Sequence, residues 1–280
     1  MGELCRSADL MMDGFKRGYC VPAYDTSNYE TTQMVFRAAE IAETPVIIML
    51  YPTPYIPFDT FADMVKSLGK KSKVPFALHL DHSPSFEVCM QAIHAGFTSV
   101  MIDASKKPYA ENVAECQAVV RVAHAMGIDV EGELGTVGRE EAVDRNGFTS
   151  PEQAVQFLEE TGLDTLAVAI GNCHGVYVGE PDLDIPLLAR IKASVTKPLV
   201  LHGASGIPKD QLMDACRNGI CKTNVATEYL IKYAEVIDGL MHQDDKPTRF
   251  GAIMDRSFQP VVDFIADKMK VFNPDHLKLI

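Results

Sequence analysis

Asp81 and His82 stand side by side at the end of an apolar run, and two further histidines, His174 and His202, end or follow later apolar runs. Three imidazoles can hold a zinc ion with one position left open for a substrate or water, and a carboxylate beside that ion can carry a proton. Of the remaining histidines, His94, His124, His242 and His276 fall on expected helices or the tail and read as surface or satisfied residues. His79 lies two residues from Asp81, on the same face of an extended segment, and reads as a core or supporting group.

A second constellation suits an oxyanion. His202-Gly-Ala-Ser-Gly206 follows one apolar run, and Asn224-Val-Ala-Thr227 opens a helix after the next. Glycines let backbone N–H groups approach a phosphate, and a helix N-terminus adds a favourable dipole.

These residues need a frame that brings distant segments to one face. Expected strands at Tyr19–Tyr24, Val46–Leu50, Pro75–Asp81, Ser99–Asp103, Asp129–Glu133, Thr165–Ile170, Pro198–His202 and Ile220–Asn224 alternate with helices at Thr31–Glu43, Thr60–Leu68, Ser85–Ala95, Ala110–Met126, Pro151–Thr161, Ile185–Ser194 and Lys209–Asn218. A helix at Leu4–Lys16 precedes them, and helices at Thr227–His242 and Gln259–Lys270 follow. Eight strand–helix units without a Gly-x-Gly-x-x-Gly after the first strand predict a closed (β/α)8 TIM barrel. It is read as a single domain over 1–280 with extra N- and C-terminal helices. Active sites of such barrels lie at the C-terminal strand ends, where Asp25, Asp81, His82, Asp103, Ser105, Glu133, Asn172, His174, His202 and Asn224 collect. The long loops at 135–150 and 171–184 lie on that same face.

Composition narrows the function. At 280 residues, 47% hydrophobic and 23% charged, the chain can bury a large core. A net charge of −12 argues against nucleic-acid or anionic-membrane partners. No apolar stretch is long enough to span a bilayer and no leader is recognised, so the expected location is cytoplasmic. Seven cysteines without a Cys-x-x-Cys pair read as reduced, mostly core thiols.

The stretches Ala77-Leu-His-Leu-Asp-His82, Ala95-Gly-Phe-Thr-Ser-Val-Met-Ile-Asp103, Glu131-Gly-Glu-Leu-Gly135, Leu166-Ala-Val-Ala-Ile-Gly171 with His174-Gly175, Leu199-Val-Leu-His-Gly203 and Gly219-Ile-Cys-Lys-Thr-Asn-Val-Ala-Thr-Glu228 resemble, in unbroken order, the class II fructose-bisphosphate and tagatose-bisphosphate aldolases. The resemblance implies reversible cleavage of a ketose 1-phosphate or bisphosphate to dihydroxyacetone phosphate and an aldehyde. It implies one catalytic Zn2+ per subunit on His82, His174 and His202, with Asp81 moving a proton. By counting from Glu133, the glutamate that exchanges a proton with the carbon beside the ketone falls on Glu141, with Glu140 its neighbouring rival. Phosphate would be held by Gly175, Gly203, Ser205 and Thr227, while Asn224 would touch the enediolate. Asp103 and Glu133 match acids reported in some members as a second metal site, so a second divalent or a monovalent cation enters the expectation, as does a homodimer or homotetramer.

The chain departs from its relatives in the lining of the site. Val178 stands where the family often has lysine, Tyr51-Pro-Thr-Pro54 follows the second strand where serine is common, Asp25 replaces asparagine, and Ala204 replaces glycine. An extra carboxylate at Asp25 would repel a second anionic group, which argues against fructose bisphosphate as the main substrate. Three alternatives stand beside this reading. One is a Schiff-base aldolase through Lys222, whose simpler role is a buried partner of a carboxylate. The others are a metal hydrolase on the same histidines and a non-catalytic accessory subunit.

Overall fold

A computed structural model describes residues 1–139, 145–175, 177 and 179–280. The barrel strands are β1 (Val21–Asp25), β2 (Val46–Leu50), β3 (Phe76–Ser83), β4 (Ser99–Ile102), β5 (Asp129–Leu134), β6 (Thr165–Val168), β7 (Leu199–Leu201) and β8 (Ile220–Val225). All neighbours pair parallel in chain order, and β8 pairs with β1 to close the ring. The helices are α1 (Ser7–Arg17), α2 (Tyr29–Ala42), α3 (Phe58–Gly69), α4 (Phe86–Ala95), α5 (Tyr109–Ala125), α6 (Pro151–Thr161), α7 (Ile185–Ser194), α8 (Lys209–Arg217), α9 (Thr227–Met241) and α10 (Phe250–Val271). The eight-unit barrel read from the sequence is the observed fold.

Strand alternation divides the core in two. Ile48, Leu50, Leu78, Leu80, Val100, Ile102, Leu166 and Val168 face the helical ring, whereas Val21, Ala23, Ile47, Met49, Ala77, Ala167 and Val200 fill the barrel interior. Met11 of α1 belongs to the interior cluster, and Leu10 and Phe15 pack against it, so α1 plugs the base of the barrel. Its N-cap residue Arg6 makes no side-chain cap. Asp129, at the start of β5, supplies one from across the fold: it accepts from the Ala8 N–H at 2.8 Å and from the Arg6 guanidinium. A carboxylate there satisfies an otherwise free donor and complements the helix dipole.

Two elements differ from expectation. Gln259-Pro260 reads as a helix start because proline suits the first turn. The helix instead begins at Phe250 and carries Pro260 inside it. The missing N–H costs about 3 kcal/mol in a helix interior. Burial of Val261, Val262, Ile265, Ala266 and Met269 along one face holds the helix through it. The loops after β5 and β6 also carry short strands, Gly138–Arg139 and Cys173–His174, which pair parallel outside the barrel.

Asp129→Ala should unseat α1 without altering the strand ends. The expected loss is about 1–3 kcal/mol, the range for a buried hydrogen-bond partner removed, read as a lower urea midpoint with an unchanged m-value. An unchanged midpoint would show that Asp129 does not anchor the plug.

Candidate active site

Neighbouring residues of a regular strand point to opposite faces, so Asp81 and His82 can share one cavity only if β3 is irregular there. It is. Leu80 pairs with Val100 and Ser83 with Ile102, so β3 advances three residues where β4 advances two. Within this bulge His82 has φ 44°, the left-handed region that a non-glycine residue seldom occupies. Both side chains line a cavity of about 270 Å3 at the C-terminal face of the barrel.

Each neighbour has its own partner. Asn224 Nδ2 donates to Asp81 Oδ1 at 2.8 Å. His82 Nδ1 donates to Asp103 Oδ2 at 2.8 Å, and Asp103 Oδ1 accepts from Ser105 Oγ at 2.7 Å. Burial opposes ionisation of Asp103, but the hydrogen bonds from His82 and Ser105 outweigh it and hold the carboxyl well below the usual range.

His202, fully buried, donates from Nε2 to Glu131 Oε1 at 2.9 Å. Glu131 also accepts from Lys222 Nζ at 3.1 and 3.0 Å, and Lys222 donates its remaining proton toward His79 Nε2 at 3.5 Å. His79 Nδ1 meets Ser99 Oγ at 2.8 Å. The middle of the barrel is therefore a closed polar network, with Lys222 held by a carboxylate and His79 beneath the site. Burial, then the charge of Lys222, keeps His79 well below its ordinary pKa; burial, then His82 and Lys222, does the same to His202.

This arrangement tests the histidines as metal ligands. Ligand atoms of His82, His174 and His202 lie within 4.8 Å of one another. With Nδ1 of His82 and Nε2 of His202 committed to carboxylates, the free lone pairs, His82 Nε2 and His202 Nδ1, face each other at 2.8 Å. Such a contact requires a positive charge. A proton can supply it: burial opposes charge on His82, but Asp81, Asp103 and Glu133 push it up to about 9. A divalent ion can supply it too, and the carboxylate–imidazole pairs are those that orient histidine ligands. The donor set fits the ion. Asp103 serves His82, and Glu133 Oε2, sealed from solvent without a hydrogen bond among the described residues, lies 3.5 Å from His202 Nδ1. Burial foremost pushes Glu133 up to about 8.

The oxyanion corner lies across the cavity. Gly203 has φ 66°, and a Cβ there would sit 1.9 Å from the Cys173 carbonyl oxygen, so only glycine lets the loop after β7 touch the one after β6. Tyr177 clasps the same two loops, accepting from Cys173 N and donating to Gly203 O, each at 2.9 Å. Ser205 accepts from Glu228 N at 3.3 Å, and Glu228 accepts from Gly206 N and pairs with Lys268 of α10. Gly175, Gly203, Ser205, Asn224 and Thr227 all line the cavity with Asp81, His82 and His174. Glu141 and Glu140 lie outside the described residues, as does Val178; Arg139, just before them, pairs with His174. Sequence reasoning left Glu131, Tyr177 and Lys268 without roles. A two-residue step down the strand from Glu133 points to Glu131, whereas nothing local marks the other two.

Residues 6–276 match the family model described as fructose-bisphosphate aldolase class-II. The chain is a member of the class II fructose-bisphosphate aldolase family. It is similar to the "Probable fructose-bisphosphate aldolase" of Bacillus subtilis (43% identical over 242 residues, 84% of this chain and 85% of that one) and to the fructose-bisphosphate aldolase of Staphylococcus aureus (41% over 244 residues, with the same shares). Its fold is similar to that of the YdjI aldolase of Escherichia coli K12, with a TM-score of 0.87, 34% identity and 98% of each chain covered. The aldolase thus belongs to a metal-dependent family of carbon–carbon lyases acting on phosphorylated sugars. Among its described residues, no helix is long and apolar enough to cross a membrane.

A divalent ion added to metal-free aldolase at about 100-fold its dissociation constant should raise stability by about 2.7 kcal/mol, seen as an upward shift of the melting temperature. His82→Ala should abolish both the shift and stoichiometric metal uptake. Full metal content in that variant would remove His82 from the ligand set.

Proposed function

We propose that this aldolase holds Zn2+ on His82, His174 and His202 and reversibly cleaves a ketose 1-phosphate, or a ketose bisphosphate, to dihydroxyacetone phosphate and an aldehyde. The observation that carries the reading is the bulge in β3, which turns a carboxylate and an imidazole of adjacent residues into one cavity with the oxyanion corner opposite. When bound, the ion supplies Lewis-acid stabilisation of the negative charge left on the ketone half.

The chain's own residues do the rest. Asn224 occupies Asp81 Oδ1, leaving Oδ2 to take the proton of the C4 hydroxyl as the C3–C4 bond breaks. Asn224 Oδ1, sealed without a hydrogen bond among the described residues, is available to a substrate hydroxyl at the enediolate. Gly175, Gly203, Ser205 and Thr227 hold the phosphate, the last at the N-terminus of α9. Glu141 returns a proton to the carbon beside the ketone. Pairing of Arg139 with His174 supports this role, because it tethers the chain two residues before Glu141 to a ligand of the ion. Asp103 and Glu133 are the carboxylates available to a second cation. The enzyme acts as one barrel domain in the cytoplasm, as a homodimer or homotetramer.

Asp81→Asn should keep its zinc and lose about two to four orders of magnitude in kcat; wild-type turnover with zinc retained would remove Asp81 from the proton path. Glu141→Gln should slow exchange of the dihydroxyacetone phosphate carbon-bound proton with deuterated water by about 10²–10⁴, with Glu140→Gln close to wild type. The reverse pattern, read by NMR, would transfer the role to Glu140.

A further inference from the structure

The aldehyde end of the cavity has a charge problem that the phosphate end does not. Phosphate-holding groups come from the loops after β6, β7 and β8, so a substrate anchored there and reaching past Asn224 and His82 meets β1 and β2 next. The side chains waiting are Asp25 and Tyr51. Asp25 closes β1, whose Ala23 pairs with Asn224 and whose Asp25 pairs with Met49. Its backbone is pinned by the Tyr229 hydroxyl, which donates to the Asp25 carbonyl. As a residue Asp25 is half-buried, but Oδ1 is sealed from solvent and has no hydrogen bond among the described residues. A buried carboxyl oxygen without a partner, in a substrate cavity, is a vacancy for a hydroxyl.

The surroundings also decide what that hydroxyl can be attached to. Apart from the imidazoles and the Tyr51 phenol, Asp25 and Asp81 are the titratable side chains among the described residues lining this cavity, and no lysine or arginine is among them. Asp25 and Asp81 both line this cavity, so a second anionic group brought there would meet two carboxyl side chains. Lys106 is exposed and lines an adjoining cavity with Asp103 and Ser105, which shares Tyr51, His82 and His174 with this one.

We propose that Asp25 selects the aldehyde half of the substrate: its carboxyl hydrogen-bonds a hydroxyl of an uncharged, hydroxylated aldehyde and disfavours an aldehyde that carries phosphate or carboxylate. This rests on the aldolase reading above. The preferred cleavage substrate is then a ketose 1-phosphate with a single phosphate.

The test is condensation by the metal-loaded enzyme of dihydroxyacetone phosphate with glyceraldehyde and with glyceraldehyde 3-phosphate, which differ only in the phosphate. Wild type should favour glyceraldehyde in kcat/KM by at least about tenfold. Asp25→Asn, which keeps shape and removes charge, should shrink or invert that ratio by about tenfold or more, and Asp25→Ser, smaller and neutral, should shift it the same way. A wild-type preference for the phosphorylated aldehyde, or a ratio unmoved in both variants, would overturn the proposal. Exchange of the dihydroxyacetone phosphate carbon-bound proton by the wild-type enzyme separates the two readings. With exchange present, failure of both aldehydes to react refutes only the role of Asp25, whereas absence of exchange refutes the aldolase reading itself.

Discussion

The site depends on one extra residue in β3. Without the bulge between Leu80 and Ser83, strand alternation would send either Asp81 or His82 to the helix side, and no rotamer change could bring it back. The cost is a histidine held at φ 44°, of order 1–3 kcal/mol for a non-glycine residue. Hydrogen bonds on both sides offset it: Asp103 fixes the His82 ring, and Asn224 fixes Asp81. Removal of either partner would free a side chain whose backbone is already strained.

Below that surface the barrel departs from an oily core. Glu131, Lys222, His79, Ser99 and His202 occupy the middle layer, each with a hydrogen-bond partner. Buried ion pairs rarely add net stability, since desolvation consumes most of their attraction. Their value here is orientation. Glu131 accepts a hydrogen bond from His202 Nε2 and thereby sets which nitrogen faces His82, while Lys222 holds Glu131 in place. Lys222, the one inward lysine that invited a Schiff-base reading, is fully committed to this network.

Much of this was legible in the sequence, for definable reasons. Apolar runs such as Val46–Leu50 mark parallel strands buried on both faces, and eight of them in alternation with helices determine the barrel. The barrel in turn puts His82, His174, His202, Asp81 and Asn224 on one face, so the candidate site follows from the topology. What was not legible depends on contacts between distant segments. Pro260 resembled a helix start because the packing that carries α10 through it is tertiary. The pairing of Gly138–Arg139 with Cys173–His174 involves two-residue strands too short to show periodicity. The bulge has no local signature, and the clasp of Tyr177 on Gly203 joins loops that only the closed ring brings together.

Strand β5 carries three acids at alternate positions, and each serves a different level of the molecule. Asp129 caps the helix that closes the base, Glu131 holds a histidine from beneath, and Glu133 lines the upper face. Side chains of one face recur every second residue, about 6.6–7 Å apart, so the strand works as a rigid ruler graduated in carboxylates. Substitution at one mark disturbs one level. Insertion or deletion of a single residue within the strand would instead turn those beyond it toward the helices, separating plug, support and site in one event. The length of β5 is therefore under tighter constraint than the identity of any one of its residues.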